Sequence, residues 1–276
     1  MPGELEGRVA IVTGGGRGFG RAIAMRLAAE GAAVAVTSRT AKEIEETADQ
    51  IRESGGRSIA ITGNVTVKDD VNRVVAESVK AFGPVSILVN NAGIPEPFGP
   101  IGIVDTEKWW AAQEVHIRGP VLFISAVLPE MIKHRQGTII NIAATAGRRI
   151  APYLSAYCLG KAAQIRLTEL LAAETEEHGI CVFAIDPGLA HTGMAEATMN
   201  SADAQRWLPE MVDRLKQRKN LPQSNDDLEK CGQRCVALIS GQYDDLSGIY
   251  MELDDDLDEM LIEKEADEIT IIPADH

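Results

Sequence analysis

The sequence predicts an α/β fold, a single doubly wound parallel sheet of about seven strands with helices on both faces. Three observations predict it. Short apolar runs recur along the chain, each bounded by Gly, Pro or Asn. Longer segments with helical spacing lie between them. The first run enters a glycine-rich turn directly before such a segment.

In chain order the runs are RVAIVTG (8–14), AAVAVTS (32–38), SIAITGN (58–64), VSILVNN (85–91), GTIINIA (137–143) and ICVFAID (180–186), with GIYMEL (248–253) as a weaker seventh. The first six are continuous or nearly so, as expected of strands covered on both faces. Ile23 and Leu27 recur at helical spacing in the first intervening segment, as do Val71, Val74, Val75 and Val79 in the third. Strand and helix in alternation put the strands parallel. No internal repeat, linker or low-complexity stretch precedes an acidic tail.

The 276 residues are 45% hydrophobic and 25% charged, enough for one large domain with its own core. No apolar run approaches the roughly 18 residues of a membrane span. The first residues lack a basic segment leading into an apolar one, so no signal peptide is expected. The four cysteines (158, 181, 231, 235) have no disulfide-framework spacing. Cys231 and Cys235 stand one helical turn apart without further ligands for a metal nearby. Reduced thiols and a cytoplasmic location are expected. Residues 252–276 hold eleven acids and one lysine, so they carry −10 of the net charge of −14. The remaining body, at −4, argues against nucleic acid as a partner and leaves room for a locally basic pocket.

In doubly wound sheets ligands sit beyond the carboxyl ends of the strands. The first strand runs into TGGGRGFG (13–20) and then a helix. The spacing T-G-x-x-x-G-x-G, with Gly14, Gly18 and Gly20, lets backbone approach a phosphate at a helix N-terminus. A purely structural turn is the plainer alternative. The second strand ends at Ser38 and Arg39, where an acid would hold a ribose hydroxyl, and Arg17 lies in the glycine loop. Two guanidiniums near one ribose favour NADP(H) over NAD(H), unless both simply face solvent.

YCLGK puts Tyr157 and Lys161 four apart, one above the other on a helix face. With this pair on the page the chain resembles the short-chain dehydrogenase/reductase family over nearly its whole length. TGGGRGFG resembles the family's cofactor loop, NNAG (90–93, with Asn91, Ala92 and Gly93) its fourth-strand motif, and YCLGK its Tyr-x-x-x-Lys pair. DPGLAHT (186–192) resembles its Pro-Gly loop, with Pro187, Gly188 and Thr192. The resemblance implies a Rossmann-like domain over residues 1–253 with a substrate lid over 193–225, and the acidic extension over 254–276 departs from it, since family members commonly end just after the last strand. It also implies a homotetramer or homodimer that moves hydride between a nicotinamide cofactor and a carbonyl or secondary alcohol. Gly14, Arg17, Gly18, Phe19, Gly20, Ser38, Arg39, Asn64, Val65, Asn91, Ala92, Gly93, Tyr157, Lys161, Pro187, Gly188 and Thr192 would then bind the cofactor. Asn64 stands where an Asp is usual. Tyr157 would exchange the proton. Lys161 would lower the phenol's pKa from about 10 and hold the cofactor ribose.

Two catalytic positions depart from the pattern. The family's Ser, 13 residues before the Tyr, is Ala144 here. A methyl cannot donate to the substrate oxygen, and losing such a donor costs about 10²–10³ in rate. Thr145 is adjacent, but in an extended segment it faces the other way. The family's Asn on the fourth helix is His116, in VHIRG (115–119). His116 either replaces a structural amide, its backbone carbonyl still holding a water near Lys161, or relays a proton. Three accounts stay open: an oxidoreductase with another donor, a cofactor-binding protein or non-redox enzyme on the same fold, or an Ala144 introduced to silence the site.

Met194, Met199, Trp207, Leu208 and Met211 suggest an apolar pocket wall, hence an apolar or aromatic carbonyl substrate, with plain helix packing as the alternative. IPEPFGP (94–100) would form the facing rim. In the tail, Leu257, Met260, Leu261 and Lys264 fit one helical face, and ITIIP (269–273) could add an edge strand. The tail is expected to dock on the body or on a neighbouring subunit.

Overall fold

The computed structural model describes residues 3–221 and 223–271, with side chains to residue 266. Seven strands form: β1 (Val9–Thr13), β2 (Ala33–Ser38), β3 (Arg57–Thr62), β4 (Ile87–Asn90), β5 (Gly137–Ile142), β6 (Ile180–Ile185) and β7 (Tyr250–Met251). They make one sheet in the order β3-β2-β1-β4-β5-β6-β7, every neighbouring pair parallel. The chain winds outward in both directions from β1 and β4, so a crevice opens beyond their carboxyl ends.

The sheet is covered on both faces because its strands alternate between two cores. Ala10 and Val12 pack with Ile23 and Leu27 of α1 (Gly18–Ala29), Ile44 of α2 (Ala41–Glu53) and Val236 of α10 (Asp226–Ile239). Val9 and Ile11 pack with Val71 and Val74 of α3 (Lys68–Phe82), Phe123 of α5 (Gly119–His134) and Leu171 of α6 (Ser155–Thr175). Two expectations need correction. β3 is an edge strand, and Ile59 and Ala60 are only half-buried on it. Val79 is exposed, because α3 turns only its Val71–Val74 side to the sheet.

α4 (Thr106–Gln113), capped by Asp105 accepting from the Glu107 and Lys108 amides, continues through a π-helical turn, Glu114–Arg118, into α5. This continuous helix of 29 residues is long and apolar enough to cross a membrane. Here Phe123, Ile124, Val127 and Met131 bury its apolar side against the sheet. Cys231 and Cys235 are buried free thiols on α10, and no metal-binding group occurs among the described residues.

The tail docks. α11 (Leu257–Ile271) buries Leu257 and packs Met260 and Leu261 on the α1–α10 core. Asp258 accepts from the Tyr243 hydroxyl at 3.0 Å, and Lys264 donates to the Asp245 carbonyl. The edge strand expected over 269–273 is not found in its described part, since residues through Ile271 are helical. Ile272 and Pro273 lie outside the described residues. Deleting the chain after Leu253 exposes this apolar contact, at a cost of roughly 2–4 kcal/mol. A melting temperature lower by several degrees is the expected result, and an unchanged melt with unchanged oligomer size would show the tail to be idle.

Candidate active site

The glycine loop is a cradle built by β1, α1 and β4. Gly14 (φ 64°) and Gly18 (φ 54°) take left-handed conformations. A Cβ on Gly20 would collide with the Gly14 carbonyl oxygen and stand 2.5 Å from Asn91 Nδ2. Asn91 locks the loop: its Nδ2 donates to the Thr13 and Gly14 carbonyls at 2.8 and 3.2 Å. The Asn91 and Ala92 amides donate to Thr13 Oγ1 at 3.0 and 3.1 Å. Arg17, the N-cap of α1, makes no side-chain bond to the first-turn amides. Bare glycine backbone and uncapped amides at a helix start fit a dinucleotide's pyrophosphate. Phe19 turns inward and packs on the core.

Arg39 is exposed at the end of β2, and among the described residues it has no ion-pair partner. Arg17 pairs with Glu43 at 3.3 Å in solvent, and the Ser38 hydroxyl accepts from the Thr40 amide at 3.2 Å. Asn64 folds onto its own turn, where Oδ1 accepts from the Thr66 amide and hydroxyl, each at 3.1 Å. Val65 is buried against Gly119.

Across the crevice, α6 presents Tyr157 and Lys161 side by side, with Lys161 Nζ 5.5 Å from the Tyr157 ring centroid. Lys161 is buried and donates to the Ile142 carbonyl at 2.6 Å and to Gln164 Oε1 at 3.0 Å. Burial pushes its amine down to about 7, with Asp186 opposing the shift. Burial and Asp186 hold the Tyr157 phenol above its ordinary value. His116 stands edge-on to Tyr157 at 5.5 Å between centroids, packed against Gly160 and Gly93. Its Nε2 lies 2.8 Å from the Ile94 carbonyl. A carbonyl only accepts, so Nε2 carries the proton and Nδ1 is a buried acceptor without a partner.

Known proteins resemble this arrangement. The short chain dehydrogenase family model matches residues 8–203. The chain belongs to the short-chain dehydrogenase/reductase family. It is 34% identical to a short chain dehydrogenase of Pseudocercospora fijiensis over 95% of this chain and 85% of that protein. It is 36% identical to the 3-oxoacyl-[acyl-carrier-protein] reductase FabG of Staphylococcus epidermidis over 68% of this chain and 77% of that one. An actinorhodin polyketide ketoreductase solved with NADPH superposes with a TM-score of 0.80 at 28% identity, covering 91% of this chain and 97% of the other.

This short-chain dehydrogenase differs from the sequence-based expectations at its proton-handling groups. His116 does not titrate near neutrality: burial, with Lys161 adding to it, pushes the imidazole down to about 3. Burial therefore weighs against the proton-relay reading and for the structural one. The His116 backbone carbonyl accepts from Gln164 Nε2 at 3.0 Å. Ala144 is buried in extended backbone (φ −169°, ψ 152°) just past β5. Thr145 does not stand in for it. A 3₁₀ turn begins there, and Asp186 Oδ2 takes both the Thr145 amide and its hydroxyl, the latter at 2.5 Å.

The Pro-Gly loop closes on the cradle. Pro187 is buried, and Gly188 (φ 80°) passes so close to Asp227 that a Cβ would stand 2.6 Å from Oδ2. Thr192 lies beside Gly18, its hydroxyl accepting from the Ala195 amide at 3.3 Å to cap α7 (Gly193–Asn200). α8 (Ala202–Trp207) and α9 (Pro209–Lys219) follow. Leu208 and Met211 pack in one cluster with Tyr157, Cys158 and Phe98, while Met199 packs inside the lid with Leu215. Met194 reaches Gly93, and Trp207 stacks near Tyr153 at 5.4 Å. Thr13 heads the quoted glycine motif without a role assigned to it, and Gln164 and Asp186 are given none in the sequence reading. Asp186 stands in the quoted Pro-Gly stretch, and Gln164, polar and one turn past Lys161, is legible as a partner for the lysine only by that spacing.

Proposed function

We propose that this chain is an NADP(H)-dependent ketoreductase acting on a small apolar or aromatic carbonyl compound. The observation that carries this reading is a phenol held protonated beside a buried lysine, at the sheet end that also holds the glycine cradle. NADPH, when bound, supplies the hydride to the carbonyl carbon. The glycine loop and α1 would hold its pyrophosphate, and Arg17 and Arg39 would hold its 2′-phosphate. Tyr157 donates its hydroxyl proton to the substrate oxygen as negative charge develops there. The Lys161 ammonium stabilises the phenolate that remains. Leu208, Met211 and Phe98 form the apolar wall beside Tyr157. Residues 1–253 are read as the catalytic domain, with 193–225 as its lid and 254–276 as an extension. Exposed Trp110, Val121, Leu159 and Leu170 on α4–α6 support a homodimer or homotetramer. Four free cysteines suit the cytoplasm.

The test is NADPH consumption against a panel of aromatic and aliphatic ketones, with NADH as control and NADPH binding followed by fluorescence. Turnover with NADPH is the expected result. Arg39→Ala should raise KM for NADPH about tenfold and leave KM for NADH unchanged. Tight NADPH binding with no turnover across the panel would move the chain to the cofactor-binding or non-redox alternative, which the missing donor at Ala144 favours.

A further inference from the structure

Gln164 lies one turn after Lys161 on α6 and is buried. Buried amides are kept where every arm has work. Its Oε1 accepts from Lys161 Nζ, and its Nε2 donates to the His116 carbonyl, both at 3.0 Å. Its backbone carbonyl accepts from the Thr168 hydroxyl at 2.9 Å. That hydroxyl accepts from Asn141 Nδ2 at 2.9 Å, and Asn141 Oδ1 accepts from Asn90 Nδ2 at 2.9 Å. A continuous set of hydrogen bonds therefore ties β4 and β5 to the turn of α6 that carries Lys161.

We propose that Gln164 is a positioning residue for Lys161, its amide holding the lysine in the ammonium form while anchored on the His116 carbonyl. The proposal rests on the reading of Lys161 as the partner of Tyr157. An amide oxygen facing an amine favours the charged donor. The other groups facing Lys161 are Tyr157 on the same helix, neutral His116 from the π turn and Asp186 from the end of β6. β5 offers only the Ile142 carbonyl. Without Gln164 that carbonyl is the one remaining hydrogen-bond acceptor seen for the buried amine among the described residues.

The test labels the lysine Cε carbons with carbon-13 and follows their NMR shifts with pH in the free protein. The Lys161 signal is identified by its loss in Lys161→Met. Gln164→Met keeps the volume and removes the acceptor, so the Lys161 midpoint should fall by about one pH unit. Gln164→Glu places an anion there, so the midpoint should rise by at least as much. With a ketone that turns over, Gln164→Met should lower kcat roughly tenfold with KM for NADPH unchanged. An unmoved midpoint in a folded Gln164→Met protein overturns the proposal. If that variant does not fold, an unmoved or lowered midpoint in Gln164→Glu overturns it. Loss of kcat with a stationary midpoint marks a merely structural role and overturns it too. The titration needs no substrate, so a failed ketone panel strikes the reductase reading and leaves this measurement standing.

Discussion

Tyr157→Phe is expected to lower kcat for NADPH-dependent ketone reduction by about 10²–10⁴-fold, with NADPH affinity nearly unchanged. The substitution removes one hydroxyl and keeps the ring edge-on to His116. Neither His116 nor Thr145 has a spare proton to replace it. The His116 N–H is spent on the Ile94 carbonyl, and the Thr145 hydroxyl on Asp186. Single-turnover rates and fluorescence titration of NADPH separate the two effects. A Tyr157→Phe protein that kept its rate would put the acid elsewhere. The pH dependence has a definite sign. Lys161, lowered to about 7, is ammonium below that pH and neutral above it. The phenolate left by proton transfer loses its partner as pH rises. The rate of reduction should therefore fall through about pH 7, as a kcat/KM profile would show.

Ala144→Ser is the second large effect, and it runs upward. The residue follows β5 in extended backbone, and its side chain is a methyl group. A hydroxyl there supplies the second donor to the developing oxyanion, and kcat/KM should rise by up to about 10²-fold. The comparison is a side-by-side assay of both proteins on one ketone. A gain identifies the present chain as a reductase working with a single donor. No gain means that the substrate brings its own donor, since neither Thr145 nor His116 has a free proton to offer.

Much of the fold was legible because its signals are local. Apolar runs of strand length, Gly at the first strand end and the helical spacing of Ile23 and Leu27 each report on a few neighbouring residues. The half-burial of β3 is not legible there, because edge position depends on strand order, which no single run contains. The 29-residue helix from Thr106 to His134 was also hidden, since polar residues interrupt its apolar side in sequence but not in space. The tail's helical face was legible from Leu257, Met260 and Leu261, whereas its docking needed the α1–α10 core to receive them.

The sequence by itself determined the sheet, the glycine cradle, the Tyr157–Lys161 pair and the absence of a hydroxyl at position 144. Each is a matter of residue type and spacing along one element. Only the tertiary structure decided which groups are free to act. Thr145 and Asp186 are 41 residues apart, on the ends of neighbouring strands, and their bond removes the one local substitute for the lost donor. His116 has an ordinary imidazole in the sequence, and burial keeps it neutral. Gln164 gains its role from a carbonyl 48 residues earlier in the chain. Protonation and donor availability depend on burial and on partners from other elements, and those are properties of the packed molecule.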